Sequence, residues 1–255
     1  MLEIDVERRF SGVRRIYGEV GLVKFKSAHV GVIGIGGVGS WAVEALARNA
    51  VGKISLIDLD NIAESNVNRQ LHALDNNFGK AKVSAMRERL MQINPICEVI
   101  EIEDFITAAN VASLLKGIDF VLDAIDDAKA KVAIATYCKL HSLPLVMVGG
   151  AGGRLDSTRI RFTDLSLVTG DKLLAKVRST LRRDHQFPKA CHNKKSAKFA
   201  IQAVYSDEPI IKPDNACEAE VLTGLNCAGY GSTVCVTAPF GFTAASLILQ
   251  SILNK

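Results

Sequence analysis

Short apolar runs and helical patterns alternate along most of this chain. Residues 29–33 and 54–57 are apolar runs typical of buried strands, and residues 38–49 between them carry apolar positions at helical spacing. The same patterns predict strands at 97–102, 119–124, 145–148, 158–162 and 234–237, and helices at 1–26, 79–94, 108–116, 128–140 and 243–253. Strands that alternate with helices indicate an α/β fold, with a largely parallel central sheet covered by helices on both faces. The last two predicted strands are candidates for antiparallel pairing.

The chain shows no linker or internal repeat that would divide it into domains. Its 255 residues are 48% apolar, which is enough for one large core. We predict a single domain over 1–255, with a core at about 27–170 and a basic insertion at about 171–198. Residues 234–252 are nearly free of charge, and two interpretations are open: a membrane span, or a hairpin strand followed by a core helix. Pro239 and Gly241 interrupt the apolar run and favour the second.

The six cysteines are scattered, and none forms a Cys-x-x-Cys pair. Residues 1–15 are charged and lack the apolar stretch typical of a secretory signal. We therefore expect a cytoplasmic protein whose thiols are free. The five histidines show no spacing typical of metal ligands.

The positive charge of the chain is concentrated in one segment. Residues 171–198 contain nine of the 31 Lys and Arg but only two of the 27 Asp and Glu. The rest of the chain therefore has 22 basic and 25 acidic residues. Such a cluster is typical of a protein that binds a polyanion, although a solvated basic helix without a partner has the same composition.

A glycine-rich turn joins the first predicted strand to the first sheet helix. Gly34, Gly36, Gly37 and Gly39 leave backbone N–H groups and a helix N-terminus free to face a phosphate, in a Rossmann-like βαβ unit. The turn by itself does not distinguish NAD, FAD, S-adenosylmethionine and ATP. A tight structural turn is the alternative.

The residues after the second strand favour a triphosphate. Asp58 ends that strand, where a carboxylate accepts hydrogen bonds from ribose hydroxyls, and Asp60 lies close enough to assist. Arg69 and Lys82 add two cations, which a site for phosphoryl chemistry needs and a hydride-transfer site does not. An ordinary loop carboxylate and exposed surface cations are the alternatives.

Two further groups are candidates for chemistry. Asp123, Asp126 and Asp127 follow the predicted strand at 119–124, where carboxylates facing a phosphate suggest a Mg²⁺ site; a helix cap is the alternative for Asp126 or Asp127. Cys227 lies in a glycine-rich loop, where its thiol is either a nucleophile, an acceptor of sulfur from a transfer partner, or inert.

Five motifs together resemble the HesA/MoeB/ThiF family, the prokaryotic relatives of ubiquitin-activating enzymes. They are Gly34-Ile-Gly-Gly-Val-Gly39, Leu56-Ile-Asp-Leu-Asp60, Asn66-Val-Asn-Arg-Gln70, Gly79-Lys-Ala-Lys82 and Asp123-Ala-Ile-Asp126, and the match covers roughly residues 10–153. The resemblance implies adenylation of a carboxylate with ATP and Mg²⁺. It further implies that Gly37, Asp58, Asn66, Arg69, Lys82 and Asp126 form the nucleotide site, with Asp126 as the metal ligand.

The second half of the chain resembles one branch of that family, the tRNA threonylcarbamoyladenosine dehydratases. The matching segments are Gly149-Gly-Ala-Gly-Gly153, Asn226-Cys-Ala-Gly-Tyr-Gly-Ser232 and Ala238-Pro-Phe-Gly-Phe242. The paired Cys-x-x-Cys motifs that hold zinc in many members are missing, so no structural zinc is expected. The resemblance implies ATP-dependent cyclisation of the threonylcarbamoyl group on tRNA by a homodimer that can associate with membranes.

The residues and the resemblance together give a set of predicted roles. Arg69, Lys82, Asp126 and Cys227 are the predicted catalytic set. The predicted tRNA contacts lie in the basic segment, at Lys172, Lys176, Arg178, Arg182, Arg183, Lys194 and Lys195. The chain departs from the family pattern at Gly12, where relatives often have Arg, so an arginine reaching a partner subunit's phosphates would be Arg14 or Arg15. Asp127 stands where many relatives have Asn, and Lys131 where others have Arg.

Three other functions remain compatible with these motifs. An adenylating enzyme for a ubiquitin-like sulfur-carrier protein would use the same nucleotide site. An NAD(P)-dependent oxidoreductase would not need Lys82. A non-catalytic scaffold would keep the fold and hydrolyse no nucleotide with any tRNA.

Overall fold

The computed structural model describes residues 5–189, 197–211 and 230–255. Seven strands form one sheet, at His29–Ile33 (β1), Lys53–Ile57 (β2), Glu98–Ile102 (β3), Phe120–Asp123 (β4), Leu145–Val148 (β5), Ile160–Asp164 (β6) and Gln202–Ser206 (β7). Their spatial order is β3-β2-β1-β4-β5-β7-β6. All neighbours pair in parallel except β6 and β7, which are antiparallel. The predicted α/β, Rossmann-like class is confirmed.

Seven α-helices are described, at Val6–Ser27 (α1), Gly39–Arg48 (α2), Lys82–Ile93 (α3), Val111–Leu114 (α4), Ala128–Leu140 (α5), Lys172–Asp184 (α6) and Val234–Asn254 (α7). The pleat of the strands divides the core between the two faces of the sheet. Val30 and Val32 of β1 pack under α1, α2, α3 and α7, whereas the neighbouring Ile33 packs under α4, α5 and α6. Both faces of the sheet are thus covered, as a parallel sheet requires.

The prediction of a strand at 234–237 was wrong, because these residues form the first turn of α7. The side chain of Thr233 caps this helix by accepting a hydrogen bond from the backbone N–H of Cys235. Val236 and Phe240 are fully buried against the core. Burial on a helical face thus overrides the strand propensity of a Val-Cys-Val-Thr run.

Helix α7 is long and apolar enough to cross a membrane, but 61% of its most apolar 18-residue window is buried inside the protein. It lies across α2 and the strands β4 and β5. A core helix therefore accounts for the apolar segment, and the fold gives no support to membrane association.

Helix α6 carries the basic charges and also belongs to the core. Leu173, Leu174, Val177 and Leu181 are buried on its inner face against α5. Residues 171–184 of the predicted insertion are therefore an amphipathic helix packed on the sheet layer.

Candidate active site

The carboxyl ends of β1, β2, β4 and β5 open onto a cleft of about 440 Å³. Parallel sheets bind ligands at this edge, where the loops after neighbouring strands diverge. The volume falls in the range of small-molecule sites. The predicted site residues on its wall are Gly34, Gly36, Gly37, Asp58, Asp60, Arg69, Lys82, Asp126 and Asp127.

The first glycine turn is shaped by the close approach of its own two ends. Gly34 has φ +84°, a conformation that favours glycine, and a Cβ on Gly39 would lie 1.8 Å from the carbonyl oxygen of Gly34. Gly36 and Gly37 line the cleft, while Gly39 begins α2 behind them. The turn therefore presents bare backbone and a helix N-terminus to the cleft, which suits a phosphate.

Asp58 is held in a fixed orientation at the end of β2. Its Oδ2 accepts a hydrogen bond from the N–H of Ile35 at 2.6 Å, and its Oδ1 accepts one from the N–H of Asp60 at 2.9 Å. Burial raises the pKa of Asp58, and the nearby Lys82 ammonium opposes that rise. Each carboxylate oxygen keeps a lone pair for a further donor such as a ribose hydroxyl.

Lys82 is a buried cation at the start of α3. Its Nζ lies 2.7 Å from Asp60 Oδ2 and 3.9 Å from Asp58 Oδ1, and the residue is only 5% exposed. Because burial excludes water from the Lys82 ammonium, these two carboxylates compensate its positive charge. Asp60, predicted to assist with ribose, is in this structure the hydrogen-bonded partner of Lys82.

Arg69 lies against the glycine turn. A Cβ on Gly37 would come within 3.1 Å of the Arg69 Cγ, so the missing side chain at 37 makes room for the arginine stem. The guanidinium donates to the carbonyl of Ser65 at 2.8 Å and to Asn68 Oδ1 at 3.0 Å. Partial burial lowers the pKa of Arg69, which nevertheless remains charged at any physiological pH.

Asn66 is buried behind this segment rather than on the cleft wall. Its Oδ1 accepts from the N–H of Ala63 at 3.1 Å and stabilises the turn that carries Arg69. Asn68, which sequence reasoning did not single out, ties the same segment to the start of α7. Its Nδ2 donates to Ser232 O at 2.7 Å, and its carbonyl accepts from Val234 N at 3.1 Å.

The three aspartates after β4 have separate environments. Asp123 is fully buried and forms a 2.9 Å ion pair with Lys131, and burial raises the pKa of its carboxyl. Asp127 caps α5 by accepting from Ala130 N at 2.7 Å. Asp126 is exposed on the cleft wall and makes no hydrogen bond or ion pair with any described residue.

This arrangement narrows the predicted metal site to Asp126. Asp123 is occupied by Lys131, and Asp127 by the helix cap. Among the described residues, no group of three or more His, Cys, Asp and Glu is placed to hold a metal. A single free carboxylate in a cleft fits Mg²⁺, which is usually bound by one or two carboxylates together with phosphate oxygens and water.

A second glycine turn, residues 149–153, forms the opposite wall of the cleft. It is fixed by Asp171, whose Oδ2 accepts from Gly150 N at 2.9 Å and whose Oδ1 accepts from Leu174 N at 2.9 Å as the cap of α6. Arg154 Nη2 lies 3.5 Å from the same Oδ2, and both side chains are about 1% exposed. Sequence reasoning missed this pair, although an Asp directly before a helical pattern is a recognisable cap.

His72 supports the first glycine turn from below. The residue is 2% exposed, and its Nε2 lies 2.7 Å from the carbonyl oxygen of Ile35. Burial lowers the pKa of His72 to about 4. The ring is therefore neutral at pH 7, and its Nε2–H donates to the turn.

The basic residues of α6 fall into two groups. Arg178 donates to Val168 O, and Arg182 donates to Pro188 O and Ser166 O, so both are partly buried structural contacts. Lys172, Lys176 and Arg183 are exposed. A shallow groove of about 510 Å³ on this helix is lined by Ala175, Arg178, Ser179, Arg182, Arg183 and Lys189.

Three predicted residues, Lys194, Lys195 and Cys227, lie outside the described residues. The prediction of a sulfur-transfer partner rests on Cys227 and is therefore not addressed by the fold. Among the described cysteines, Cys97 and Cys138 are buried free thiols and Cys235 is an exposed one.

Comparison with known proteins identifies the family. The model of the ThiF family matches residues 8–255. The tRNA threonylcarbamoyladenosine dehydratase of Haemophilus influenzae is 45% identical over 258 residues, which cover 100% of this chain and 97% of that protein. The Escherichia coli enzyme of the same name is 44% identical over 257 residues, which cover 97% of this chain and 94% of that protein. The crystal structure of E. coli tRNA N6-threonylcarbamoyladenosine dehydratase, TcdA, in complex with ATP superimposes with a TM-score of 0.88 at 42% identity, covering 100% of this chain and 97% of that one. This chain belongs to the ThiF family.

Proposed function

We propose that this protein uses ATP to dehydrate threonylcarbamoyladenosine in tRNA, closing a ring on the modified adenosine. The observation that carries the proposal is the similarity over the full length of the chain to proteins named for that reaction. Similarity confined to the nucleotide half would have favoured an adenylating enzyme for a sulfur-carrier protein equally well. The match instead extends through α6, β7 and α7, and Thr237 of α7 lines the cleft.

The cleft supports ATP with its ribose on Asp58 and its phosphates over Gly36 and Gly37. Arg69 and Lys82 flank that position and supply the two cations that a triphosphate and its leaving group require. The similar E. coli protein has been crystallised with ATP, which supports ATP as the ligand. Asp60 would then give up part of its contact with Lys82 as the phosphates enter.

Asp126 is the residue we assign to Mg²⁺. Its carboxylate is the one oxygen ligand among the three aspartates after β4 that has no competing partner in the described chain. When bound, the metal would neutralise phosphate charge. The protein's own contribution is to keep Asp126 in place through the turn that Asp123 and Lys131 hold.

The reaction requires a carboxylate to be activated and then captured within one group. The threonyl carboxylate attacks the α-phosphorus, pyrophosphate leaves, and the carbamoyl group attacks the acyl carbon with loss of AMP. The net change on the nucleoside is the loss of one water. Protein side chains contribute position and charge, because both reacting groups belong to the same substrate.

We assign the exposed cations of α6 to the tRNA backbone. Lys172, Lys176 and Arg183 face solvent, and Asp171 connects their helix directly to the cleft wall. Phosphates bound along α6 would bring a tRNA loop towards the cleft. Arg178 and Arg182 hold the helix itself and are assigned to the fold.

A homodimer is the assembly that we propose. Ile16, Val20 and Val23 of α1 are 78%, 72% and 55% exposed, and a second copy would cover these apolar side chains. Arg14 is engaged by Glu7 at 2.9 Å, which leaves Arg15 as the freer of the two arginines proposed to reach a partner subunit. Sedimentation of the protein and of Val20→Asp would test this, with a monomeric wild type as the refuting result.

The central experiment is incubation with ATP, Mg²⁺ and tRNA bearing threonylcarbamoyladenosine. Mass spectrometry of the digested nucleosides should show a product lighter by one water. Exchange of pyrophosphate into ATP that needs a sulfur-carrier protein, and no change in the tRNA, would instead identify the alternative enzyme.

A further inference from the structure

Two buried polar side chains on the cleft wall have no hydrogen-bond partner. Gln70 is 7% exposed and Thr237 is 3% exposed, and each lines the cleft. Gln70 Oε1 and Thr237 Oγ1 contact no donor or acceptor within the described chain. Buried polar atoms are nearly always paired, so two unpaired atoms at one cleft indicate groups held for a ligand.

The two residues line the same cleft although 167 positions separate them in sequence. Gln70 directly follows Arg69, and its Nε2 lies 3.8 Å from a Cβ built on Gly36. Thr237 is in the first turns of α7, which Asn68 ties to the same segment through Ser232 and Val234. The same cleft is also lined by Gly150, Ala151, Gly152, Tyr230 and Ser232.

The second glycine turn, at 149–153, is far from the ribose carboxylate. Asp58 follows β2, whereas the second glycine turn follows β5, and the strands β1 and β4 lie between them. Three strand spacings amount to about 14 Å. The β2 side of the cleft therefore suits the nucleoside of ATP, and the β5 side suits the group that ATP activates.

The backbone of α7 is not the binding group here. The N–H of Val234 donates to Asn68 O, and that of Cys235 donates to Thr233 Oγ1, so the helix N-terminus is already satisfied. Recognition must come from side chains and from the second glycine turn. Within the described chain, the N–H groups of Ala151 and Gly152 donate to no acceptor.

We propose that Gln70 and Thr237 position the threonylcarbamoyl group of the substrate, an inference that rests on the proposed function. The side-chain amide of Gln70 presents one acceptor and two donors, which match the N–H and C=O groups of a urea. Rotation of that amide exchanges its oxygen and nitrogen without further movement. The Thr237 hydroxyl pairs with the threonyl part, where it donates to an oxygen and accepts from a hydroxyl.

The test compares Thr237→Val and Gln70→Met with wild type, and uses Thr243→Val as the matched control. Thr243 is on the same helix, but its Oγ1 donates to Pro239 O at 2.8 Å. Three quantities are measured: kcat/KM for the modified tRNA at saturating ATP, the Kd for ATP without tRNA, and the melting temperature.

We expect each site variant to lower kcat/KM about tenfold, with the Kd for ATP within about twofold of wild type. Thr237→Val should also raise the melting temperature by about 2 °C, because it removes an unpaired buried hydroxyl while keeping the shape. A hydroxyl with a merely structural role would not combine lower activity with higher stability. Thr243→Val should leave kcat/KM unchanged.

Two results would overturn the assignment. One is kcat/KM within twofold of wild type for both site variants. The other is a loss of ATP affinity as large as the loss of kcat/KM, which would place the residues in the nucleotide site. A wild-type protein that binds ATP but forms no cyclic product would refute the proposed function itself, and would show in the first assay before any variant is compared.

Discussion

Asp171 Oδ2 lies 2.9 Å from the backbone nitrogen of Gly150, so the residue that caps the basic helix also holds one wall of the cleft. The Asp171 carboxylate also neutralises Arg154, whose guanidinium donates to the carbonyl groups of Ser206 and Glu208. A Cβ on Gly149 would lie 2.3 Å from the same oxygen. One buried carboxylate therefore connects the β5 turn, α6 and the end of β7.

Asp171→Ala should lower the free energy of unfolding by about 3 kcal/mol, because it leaves the Arg154 charge buried and unpaired. The KM for the modified tRNA should rise as well, since the turn at 149–153 lies on the side of the cleft given to the activated group and loses its anchor. Denaturant melts and steady-state kinetics measure the two effects. The control is Asp75→Ala, an exposed aspartate outside both the cleft and α6, which should change neither. A stable variant with normal KM would contradict the role given to Asp171.

Lys82→Ala should lower kcat for cyclisation by about 100- to 1000-fold, because a positioned cation stabilises charge that develops on the phosphates. The removal also leaves Asp58 and Asp60 without their shared cation. Quantification of the cyclic nucleoside by mass spectrometry checks the prediction. Lys80→Ala is the matched control, because Lys80 lies two residues away and pairs with the exposed Glu88. Full activity of Lys82→Ala would remove this lysine from the phosphate site.

The neutral state of His72 makes stability depend on pH. The pKa of His72 is about 4 in the folded protein and 6.5 in an ordinary histidine. Between pH 6.5 and pH 4 the unfolded chain therefore binds a proton at His72 that the folded chain does not bind. The contribution of neutral His72 to the free energy of unfolding is complete above pH 6.5. It is lost as the pH falls towards 4, which lowers the free energy of unfolding by about 3 kcal/mol in total.

Denaturant melts between pH 7 and pH 4 measure this dependence. In His72→Gln the slope in this interval should flatten, whereas His185→Gln, at the end of α6, should keep it. An unchanged slope in His72→Gln would mean that other groups carry the acid sensitivity. The ring contacts Ile35, so acid should loosen the first glycine turn before the rest of the fold.

Binding of tRNA should weaken steeply with salt if phosphates lie along α6. Lys176→Ala should lower the slope of log K against log salt by about 1, because one exposed phosphate contact is lost. Filter binding at several salt concentrations tests this. Lys53→Ala, at the start of β2, should leave the slope unchanged. Affinity that is indifferent to salt would exclude the basic helix from tRNA binding.

The strand and helix order of the first 150 residues could be predicted because periodicity and glycine turns agree there. β1, α5 and β5 begin and end at the predicted residues. The helix predicted at 108–116 is only Val111–Leu114, and β7 was not predicted at all. Both depend on neighbours that are distant in sequence, and α7 depends on burial that a local Val-Cys-Val-Thr pattern does not reveal.

The cleft was predictable in composition but not in its pairings. The motifs named Asp58, Arg69 and Lys82. They did not reveal the hydrogen bond between Asp60 and Lys82 or the ion pair between Asp123 and Lys131. Both pairings depend on where the strand ends meet in the fold. Arg154 and Asp171 belong to segments 17 residues apart, and no local pattern joins them. Unpaired atoms such as Thr237 Oγ1 can be recognised only once every neighbour is placed.

Helix α7 covers the sheet face that β1, β4 and β5 share with α2. All seven described strands precede α7 in the chain, so the ribosome synthesises the entire sheet before it synthesises this helix. During that interval Val32, Leu122 and Val148 lack their final packing partner. A nascent chain in this state exposes an apolar face that other chains can bind, and it should depend on chaperones until α7 emerges from the ribosome exit tunnel.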